Sequence, residues 1–272
     1  KQIVDEPKIP SKMIILKDST ILYDGNIGIE YRGSSSQLFD KKSYGFETWD
    51  NNNEDMDYTL LGFPEEEDWI FYGPYSDKTL VRNKLIYDLS NQIGRYASRT
   101  KFCELTINNE YMGVYVFMEK LKRDKNRIAI KKLENSDLDS INISGGYIIK
   151  IDKSDDDNGE QVYNDFNAFK SNYQPNSGTY QSIWFNYEYP KAKDIHNEQK
   201  KYIQNYFHSF EEALSGINFK DSLIGYRKYI DIESFIDFFI LNELSNNLDG
   251  YRLSTFLHKN RNEKLKIGPI WD

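Results

Sequence analysis

Cysteine, histidine and long apolar runs are the features that this 272-residue sequence has least of. Cys103 is its only cysteine, which excludes a disulfide framework and a thiolate metal cluster. The three histidines, His196, His208 and His258, lack the close spacing of zinc ligands, so no zinc site is predicted. No apolar run approaches the length of a membrane span, and we therefore expect no membrane partner.

An excess of positive charge is also missing, since 35 basic residues face 43 acidic ones and the net charge is −8. Because binding to phosphate backbones needs a basic face, nucleic acid is disfavoured as a partner. An acidic chain can instead attract basic partners. Apolar residues (39%) and aromatic residues (15%) are plentiful, which is enough core for one large domain or for two lobes.

The first part of the chain predicts short strands at 13–16, 20–23, 27–31, 101–107 and 111–118, the last two as a hairpin. A small polar loop at 32–36 precedes a strand in which Lys42 shares a face with Tyr44 and Phe46. A lysine on an apolar face needs a counter-charge, and a phosphate held by the N–H groups of the loop would supply one. The alternatives are a flexible loop and a lysine that extends to solvent.

A helix is predicted from an N-cap at Ser76 to Gln92, and it carries the polar pair Arg82 and Asn83 beside an apolar stripe. The later part of the chain predicts a strand at 145–152 and then an acidic segment at 155–178, either a surface insertion or a tether. Helical periodicity follows at 203–214 and again at 232–244, where Asp231 is the expected cap. We expect a boundary between two lobes near residue 120.

The last stretch, residues 246–272, predicts a hairpin, with strands at 252–258 and 265–267 around a polar turn. Because a hairpin returns the chain to its starting point, Asp249 and Asp272 at its open ends are expected to converge. Paired carboxylates can bind Mg²⁺, divide base and metal-ligand roles in phosphoryl transfer, or act as the acid and base of a glycosidase. Two ordinary loop acids are the remaining alternative.

The order of these elements is similar to that of protein kinases, although G-x-G-x-x-G, H-R-D and D-F-G are absent. Five local motifs closely resemble the spore-coat protein H (CotH) family of atypical kinases, and the resemblance covers the chain from about residue 9 to its end. They read RGSSS…KKSYGFE at 32–47, DKTLVRNKL at 77–85, NNEYMGVYVFMEKL at 108–121, GGYIIKID at 145–152 and NNLDGY…GPIWD at 246–272.

The resemblance implies an ATP- and Mg²⁺-dependent kinase that phosphorylates serine in spore-coat or secreted proteins. It assigns Asp249 as the catalytic base, Asn247 to the same loop, and Asp272 as a metal ligand, with Ser254 as the second metal-site residue. The residues that it implies for nucleotide binding are Lys42 (with Lys41 as the second choice), Arg32, Ser34, Ser35, Arg82, Asn83 and Glu119.

Three departures from the family pattern affect this assignment. Ser254 stands where kinases carry a metal-binding Asn and is a weaker neutral ligand. The helix at 76–92 offers Lys42 no Glu partner, only the shorter Asp88. The given sequence stops at Asp272, where relatives continue with another acidic residue. These three departures affect the expected number of metal ions and the expected turnover rate more than they affect the expected fold.

We therefore expect an α+β, bilobal protein-kinase-like fold, with a β-rich nucleotide-binding lobe at 1–120, a mainly helical lobe at 121–272 and the active site in the cleft. The expected substrate is a basic, Ser-rich coat protein, the protein itself a monomer, and its location the spore coat or, alternatively, the cell surface or exterior. A pseudokinase or coat scaffold that binds nucleotide without turnover is the second hypothesis. A carbohydrate-active enzyme that uses Asp249 and Asp272 is the third.

Overall fold

The computed structural model describes residues 2–153, 162–173 and 182–271, apart from the side chain of Ser35. The chain divides into two compact units, Lys1–Asp88 with Ser98–Leu121, and Leu89–Ala97 with Lys122–Asp272. Each unit contains its own antiparallel sheet. Among the described residues, no helix is both long enough and apolar enough to cross a bilayer.

The first unit contains a six-stranded sheet with the strand order β1-β2-β3-β4-β6-β5. The separate strands predicted at 20–23 and 27–31 are one continuous strand, because Gly25 stays extended within it and the Tyr23 hydroxyl donates to the Asn26 carbonyl across the expected turn. The strands are β1 (Ile9–Lys17), β2 (Thr20–Arg32), β3 (Ser43–Trp49), β4 (Asp68–Tyr72), β5 (Thr100–Ile107) and β6 (Glu110–Glu119).

Aromatic side chains fill the core of this unit. The Phe46 and Phe71 rings stack with centroids 4.7 Å apart, and the Trp69 and Phe117 rings stack at 5.2 Å. Cys103 packs against this core from β5. Burial raises the pKa of the Cys103 thiol to about 11, so little of it is in the reactive thiolate form near pH 7.

Helix α1 (Arg82–Gln92) begins later than predicted. Leu80 has a φ of +63°, which the right-handed helix excludes, so the helix cannot start at Ser76. Asp77 caps the helix instead, because its carboxylate accepts a 2.9 Å hydrogen bond from the Arg82 N–H.

The second unit contains a five-stranded sheet with the order β11-β10-β7-β9-β8 and two long helices. Its core gathers Tyr147 and Ile149 from the central strand together with Ile203 and Phe207 from the first of these helices. The elements are β7 (Tyr147–Ile151), β8 (Ala168–Lys170), β9 (Trp184–Tyr189), α2 (Asn197–Ser215), α3 (Ile232–Ser245), β10 (Thr255–Lys259) and β11 (Lys266–Ile267).

The predicted bilobal kinase-like fold with a mainly helical C-terminal lobe is therefore wrong. The described residues hold 11 strands and three α-helices in curled antiparallel sheets, and the second unit is built around a sheet. The helical periods near 203–214 and 232–244 are confirmed as α2 and α3, and they dominated the prediction because these helices have 19 and 14 residues. The strands of this unit have two to six residues, too few to give a strong periodic signal.

Candidate active site

Helix α3 delivers the chain to the predicted catalytic loop. The Asp231 carboxylate accepts a 2.9 Å hydrogen bond from the Ser234 N–H and so caps the helix, as the sequence predicts. The helix ends at Asn246, which adopts the left-handed conformation (φ 49°) that asparagine tolerates better than most residues. The polar residues that follow are thereby turned back onto the end of α3.

A hydrogen-bonded relay of amides connects the buried part of α3 to Asp249. Asn242 is buried, and its Nδ2 donates to the Phe238 carbonyl at 2.8 Å, so its Oδ1 is left to accept from Asn247 Nδ2 at 3.0 Å. Asn247 Oδ1 in turn accepts the Asp249 N–H at 3.1 Å. The first bond fixes the orientation of both amides, since a carbonyl can only accept. The backbone of the predicted base is therefore positioned by neutral groups behind it.

Gly250 permits this relay. A Cβ at this position would lie 2.6 Å from Asn242 Oδ1, a separation that real Cβ contacts do not show. Glycine therefore allows the loop to approach the buried amide closely.

The Asp249 side chain is about half exposed, and one of its oxygens, Oδ1, lies 2.5 Å from Arg252 Nη2. The other oxygen has no hydrogen bond to any other residue that the structure describes, which leaves it free to accept a proton or a hydroxyl group. Arg252 lies in the turn before β10, not in the strand that was predicted to begin there. Its position makes it a neighbour of the predicted base that sequence reasoning did not select.

The hairpin that was predicted for the last stretch is confirmed, because β10 pairs with β11 through Leu257 and Ile267. Ser254 immediately precedes β10 and has a φ of +48°. Thr255, the first residue of β10, pairs with Ile151 of β7, the residue directly before Asp152. Asp152, named from the sequence only within a motif, is thus a second carboxylate beside the start of β10, and the pairing of β7 with β10 is the signal for it.

Asp152 is itself engaged by its neighbours. Its carboxylate accepts hydrogen bonds from Lys150 Nζ at 2.6 Å and from the Lys153 N–H at 2.8 Å. Asp272, the predicted metal ligand, lies outside the described residues, so its convergence with Asp249 stays a prediction.

His258 of β10 lies beside a cavity of about 310 Å³ within the second unit. Its Nδ1 is 3.0 Å from the Gly268 carbonyl, which requires the neutral ring to donate from this nitrogen. Burial lowers the pKa of His258 to about 4, although the hydrogen bond to Gly268 acts in the opposite direction. This histidine is therefore neutral near pH 7 and supports the strand that follows the predicted catalytic loop.

The predicted phosphate loop of the first unit runs from Arg32, the end of β2, to Lys42, just before β3. Gly33 has a φ of +102°, and a Cβ there would lie 2.0 Å from Ser36 Oγ, so this position requires glycine. The N–H groups of Ser34 and Ser36 have no hydrogen-bond partner among the described residues. The loop therefore retains two N–H donors for an anion, as the predicted phosphate site requires.

Lys42 holds this loop closed. Its Nζ donates to the carbonyls of Gln37 and Phe39 at 2.7 and 2.6 Å, and it lies before β3 rather than on its apolar face. Asp88, the expected weak partner of Lys42, pairs instead with Lys84 at 2.8 Å. Two backbone carbonyl groups therefore interact with the Lys42 ammonium group in place of the counter-charge that the sequence predicts.

Lys41, the second choice for the phosphate-binding lysine, has different surroundings. Its Nζ donates to the Met112 carbonyl at 3.3 Å and lies 4.4 Å from the centre of the Tyr115 ring. Burial lowers the pKa of Lys41. The two lysines can therefore be distinguished by mutation.

The remaining predicted nucleotide-binding residues lie elsewhere in the chain. Arg82 is largely exposed at the start of α1, with its Nε 3.6 Å from Asp77, and Asn83 beside it is half-buried. Glu119 is buried at the end of β6, where its carboxylate accepts from the backbone N–H of Arg99 at 2.9 Å and from its Nη1 at 2.5 Å. Sequence reasoning did not select Arg99, which is identified only by its ion pair with Glu119 in the structure.

The oxygen ligands that Mg²⁺ prefers are present in the second unit, at Asp249 and Ser254. Among the described residues, the carboxylates that lie close enough together to share a metal ion are those of Asp57, Glu66 and Glu67 in the first unit. None of these three was predicted as a ligand. Asn247, Asp249 and Ser254 lie in the segment between α3 and β10, and Arg32, Ser34 and Lys42 lie at or between the ends of β2 and β3.

Comparison with known proteins gives two findings. Residues 29–272 match the protein family described as CotH kinase protein. A segment covering 49% of the chain is 29% identical, over 133 residues, to the inner spore coat protein H of Bacillus subtilis (strain 168). That segment covers 32% of the relative, so about two thirds of the relative lies outside the similarity.

Proposed function

The chain belongs to the CotH kinase family, and on that basis we propose that it is an ATP- and Mg²⁺-dependent protein kinase that phosphorylates serine. The observation that carries the proposal is the half-exposed Asp249 carboxylate, which is positioned by the relay from Asn242 through Asn247. A carboxylate with one oxygen held and one open is suited to orient a hydroxyl group and accept its proton.

In the proposed reaction, the open oxygen of Asp249 accepts the hydroxyl proton of a substrate serine. Arg252 holds the other carboxylate oxygen and so limits rotation of the side chain. Asn247 keeps the backbone of Asp249 in place. Phosphoryl transfer depends mainly on such positioning and on neutralisation of charge, since the protein itself makes and breaks few covalent bonds.

Asp272 and Ser254 would hold Mg²⁺, which when bound offsets the negative charge of the phosphates. The first unit would bind the nucleotide through the loop of Arg32, Ser34 and Ser35. Lys42 closes that loop, and we assign Arg82, Asn83 and Glu119 to the same nucleotide-binding set. Glu119 would act through Arg99, because its own carboxylate is engaged by that residue.

Phosphate incorporation from labelled ATP into a basic, Ser-rich peptide tests the proposal. The wild-type protein with Mg²⁺ should label serine, and EDTA should abolish labelling. Asp272→Asn should abolish turnover and weaken ATP binding, because an anionic triphosphate needs an intervening cation beside carboxylates. Unchanged ATP affinity in Asp272→Asn and in EDTA, measured by calorimetry, would remove the metal role.

A scaffold that binds nucleotide or coat proteins without turnover is the second candidate. It is favoured by Lys42, whose ammonium group already has two carbonyl partners, and by Ser254, a neutral residue at the proposed metal site. Thermal stabilisation by ATP with Mg²⁺ but no labelled serine would favour the scaffold. Stabilisation by oligosaccharides instead would favour a carbohydrate-active enzyme.

We place this protein in the spore coat, because its relative in Bacillus subtilis is an inner spore coat protein. The proposed substrate is a basic coat protein, motivated by the net charge of −8. The acidic residues 155–157 of the sequence favour the same class of substrate, and they lie outside the described residues. Labelling should slow as ionic strength rises, since exposed charges are screened beyond roughly 8 Å at physiological salt. A preference for acidic peptides would contradict the proposed substrate.

A further inference from the structure

The first sheet ends in two strands that pair on one side only. β1 pairs with β2, and β5 pairs with β6, and the structure shows no other strand partner for either within the described ranges. No other backbone hydrogen bond involves residues 10–17 of β1 among the described residues. Each strand therefore presents a row of N–H and C=O groups along its outer edge, and such a row is a template for another strand.

Both edges border the same groove. It has a volume of about 1350 Å³ and is lined by residues 9–17 of β1 and 101–108 of β5. Ile9, Met13 and Ile15 of β1 pack against the same aromatic core as Cys103 and Leu105 of β5. These side chains are only partly buried, so the interior of the curled sheet is apolar and incompletely covered between its two edges.

The other face of β1 is also unusual for an exposed edge strand. Ile14 and Leu16 are 57% and 63% exposed, and Lys12 is exposed on the same strand without an ion-pair partner among the described residues. Long apolar edge strands normally pair, are covered or carry protective charges. Large exposed apolar side chains grouped on one strand indicate a binding surface.

We propose that this groove binds an extended segment of a partner protein, which adds to the sheet as a strand along β1. Its inward side chains would be apolar and would cover Ile9, Met13 and Ile15. Its outward side chains would include carboxylates that face Lys12. An extended peptide fits better than a lipid, because only a peptide backbone can satisfy the N–H and C=O groups of β1 while its alternate side chains fill the groove.

This inference does not rest on the proposed kinase activity. The groove lies wholly within the first unit, and its lining residues include none of the residues assigned to catalysis, nucleotide or metal. Binding of the segment and phosphoryl transfer can therefore be measured separately, and failure of one leaves the other standing.

A fluorescent ten-residue peptide of alternating valine and glutamate is a suitable probe, with binding measured by anisotropy. A peptide of the same composition, with its valines grouped in one half, should bind at least tenfold more weakly because it cannot alternate. N-methylation at alternate positions should also weaken binding at least tenfold, since it removes backbone donors while retaining the side chains. Equal binding of all three peptides would overturn the proposal.

Variants of the protein locate the site. Met13→Asp should weaken the valine and glutamate peptide at least tenfold, whereas Leu223→Asp, the same kind of change at an exposed residue of the second unit, should leave it unchanged. Lys12→Glu should weaken this peptide severalfold and improve binding of a valine and lysine peptide, which a merely unfolded variant would not do. Circular dichroism checks that each variant is folded.

The same measurements distinguish two other possible occupants of the groove, a lipid and a second copy of this chain. Palmitate that displaces the peptide and binds independently of Lys12 would indicate a lipid site. A dimer in sedimentation that Met13→Asp disrupts, with no binding of the peptide, would indicate a second copy of this chain. Either result would overturn the proposal.

Discussion

The loop at 33–42 and the loop at 246–254 both present a charged residue proposed to act on a nucleotide or a substrate, but they are held in opposite ways. In the first, the functional candidate itself, Lys42, closes the loop through the carbonyls of Gln37 and Phe39. In the second, neutral amides behind the candidate hold the backbone through the Asp249 N–H, and the Asp249 carboxylate adds only an exposed contact with Arg252.

This difference shows which side chain can be changed without loss of structure. Replacing the Asp249 carboxylate leaves the relay of Asn242 and Asn247 intact, so function and stability are separable there. Replacing Lys42 removes a hydrogen-bonded link of its own loop, so the two effects are mixed. Mutation of each loop can test this contrast.

The largest expected effect is that of Asp249→Asn. Asn has nearly the size of Asp but cannot accept the proton, so the rate should fall roughly 10²-fold or more, in line with general-base contributions. Nucleotide affinity and melting temperature should stay near those of the wild-type protein, because Asp249 acts mainly in the transition state. Steady-state labelling, calorimetry and thermal melts measure these three quantities.

Asp272→Asn is the comparison for this experiment. If Asp249→Asn retains near-normal transfer while Asp272→Asn is inactive, Asp249 is only a loop acid and the assignment of the base fails. A large loss of stability in Asp249→Asn would contradict the claim that the relay, rather than the Asp249 carboxylate, holds the loop.

The next effect is that of Asn242→Leu, which removes the first amide of the relay. Leaving the Asn247 side-chain amide without its acceptor should cost about 1–3 kcal/mol of unfolding free energy. Turnover should fall as well, because Asp249 loses its support. Urea denaturation and labelling measure the two losses, and Asn205→Leu, at an exposed position of α2, serves as a control for the change of residue type. An unchanged turnover rate would show that the relay does not position Asp249.

The elements around this relay could be predicted from the sequence, but the relay itself could not. The period of α3, the cap at Asp231 and the C-terminal hairpin follow from the sequence, because long apolar helices and polar turns leave strong local patterns. The role of Asn242 does not follow, since a buried amide inside a helix resembles any other polar residue until its partner, five residues later, is placed. Arg99, which engages Glu119 from 20 residues away, likewise leaves no local signal.

The sheet of the second unit could not be predicted from local sequence. β9 reads WFNYEY, an aromatic alternation typical of a strand, but it follows residues with no clear pattern and pairs with β7, more than 30 residues earlier. A short strand is identified only by the distant strand with which it pairs, whereas a helix can be recognised from its own sequence. The expected kinase-like arrangement gave too much weight to the helices for this reason.

A smaller effect is expected for Lys42→Met, with Lys41→Met as its matched control. Loss of two charge-assisted hydrogen bonds should lower the unfolding free energy by about 1–2 kcal/mol, and ATP affinity should fall because the loop opens. Lys41→Met should alter ATP affinity less, since Lys41 contacts Met112 and Tyr115 instead. Calorimetry with ATP and Mg²⁺ separates the two, and a larger loss of affinity in Lys41→Met would reverse the assignment.

The smallest expected effect is a difference in pH dependence between the two loops. His258, in the strand after the second loop, has a pKa lowered to about 4 by burial, against 6.5 for the ordinary side chain. The unfolded chain therefore binds more protons than the folded one between these values, so stability is present above pH 6.5 and is lost as pH falls towards 4. Residues 33–42 contain no histidine, and their loop lacks this source of acid sensitivity.

Lowering the pH from 7 to 5.5 should thus remove about 1 kcal/mol of unfolding free energy through His258. Gly268, Lys266, Glu263 and Asp231 surround this ring, and the two nearby acids limit the effect by favouring the charged form. His258→Gln, which keeps a side-chain donor for the Gly268 carbonyl, should flatten the pH dependence, whereas His208→Gln, at a half-buried histidine of α2, should not. Hydrogen exchange at pH 7 and 5.5 should show the loss in residues 255–259 before it reaches residues 33–42. An equal loss of protection in both segments would show that the second loop has no separate acid-sensitive support.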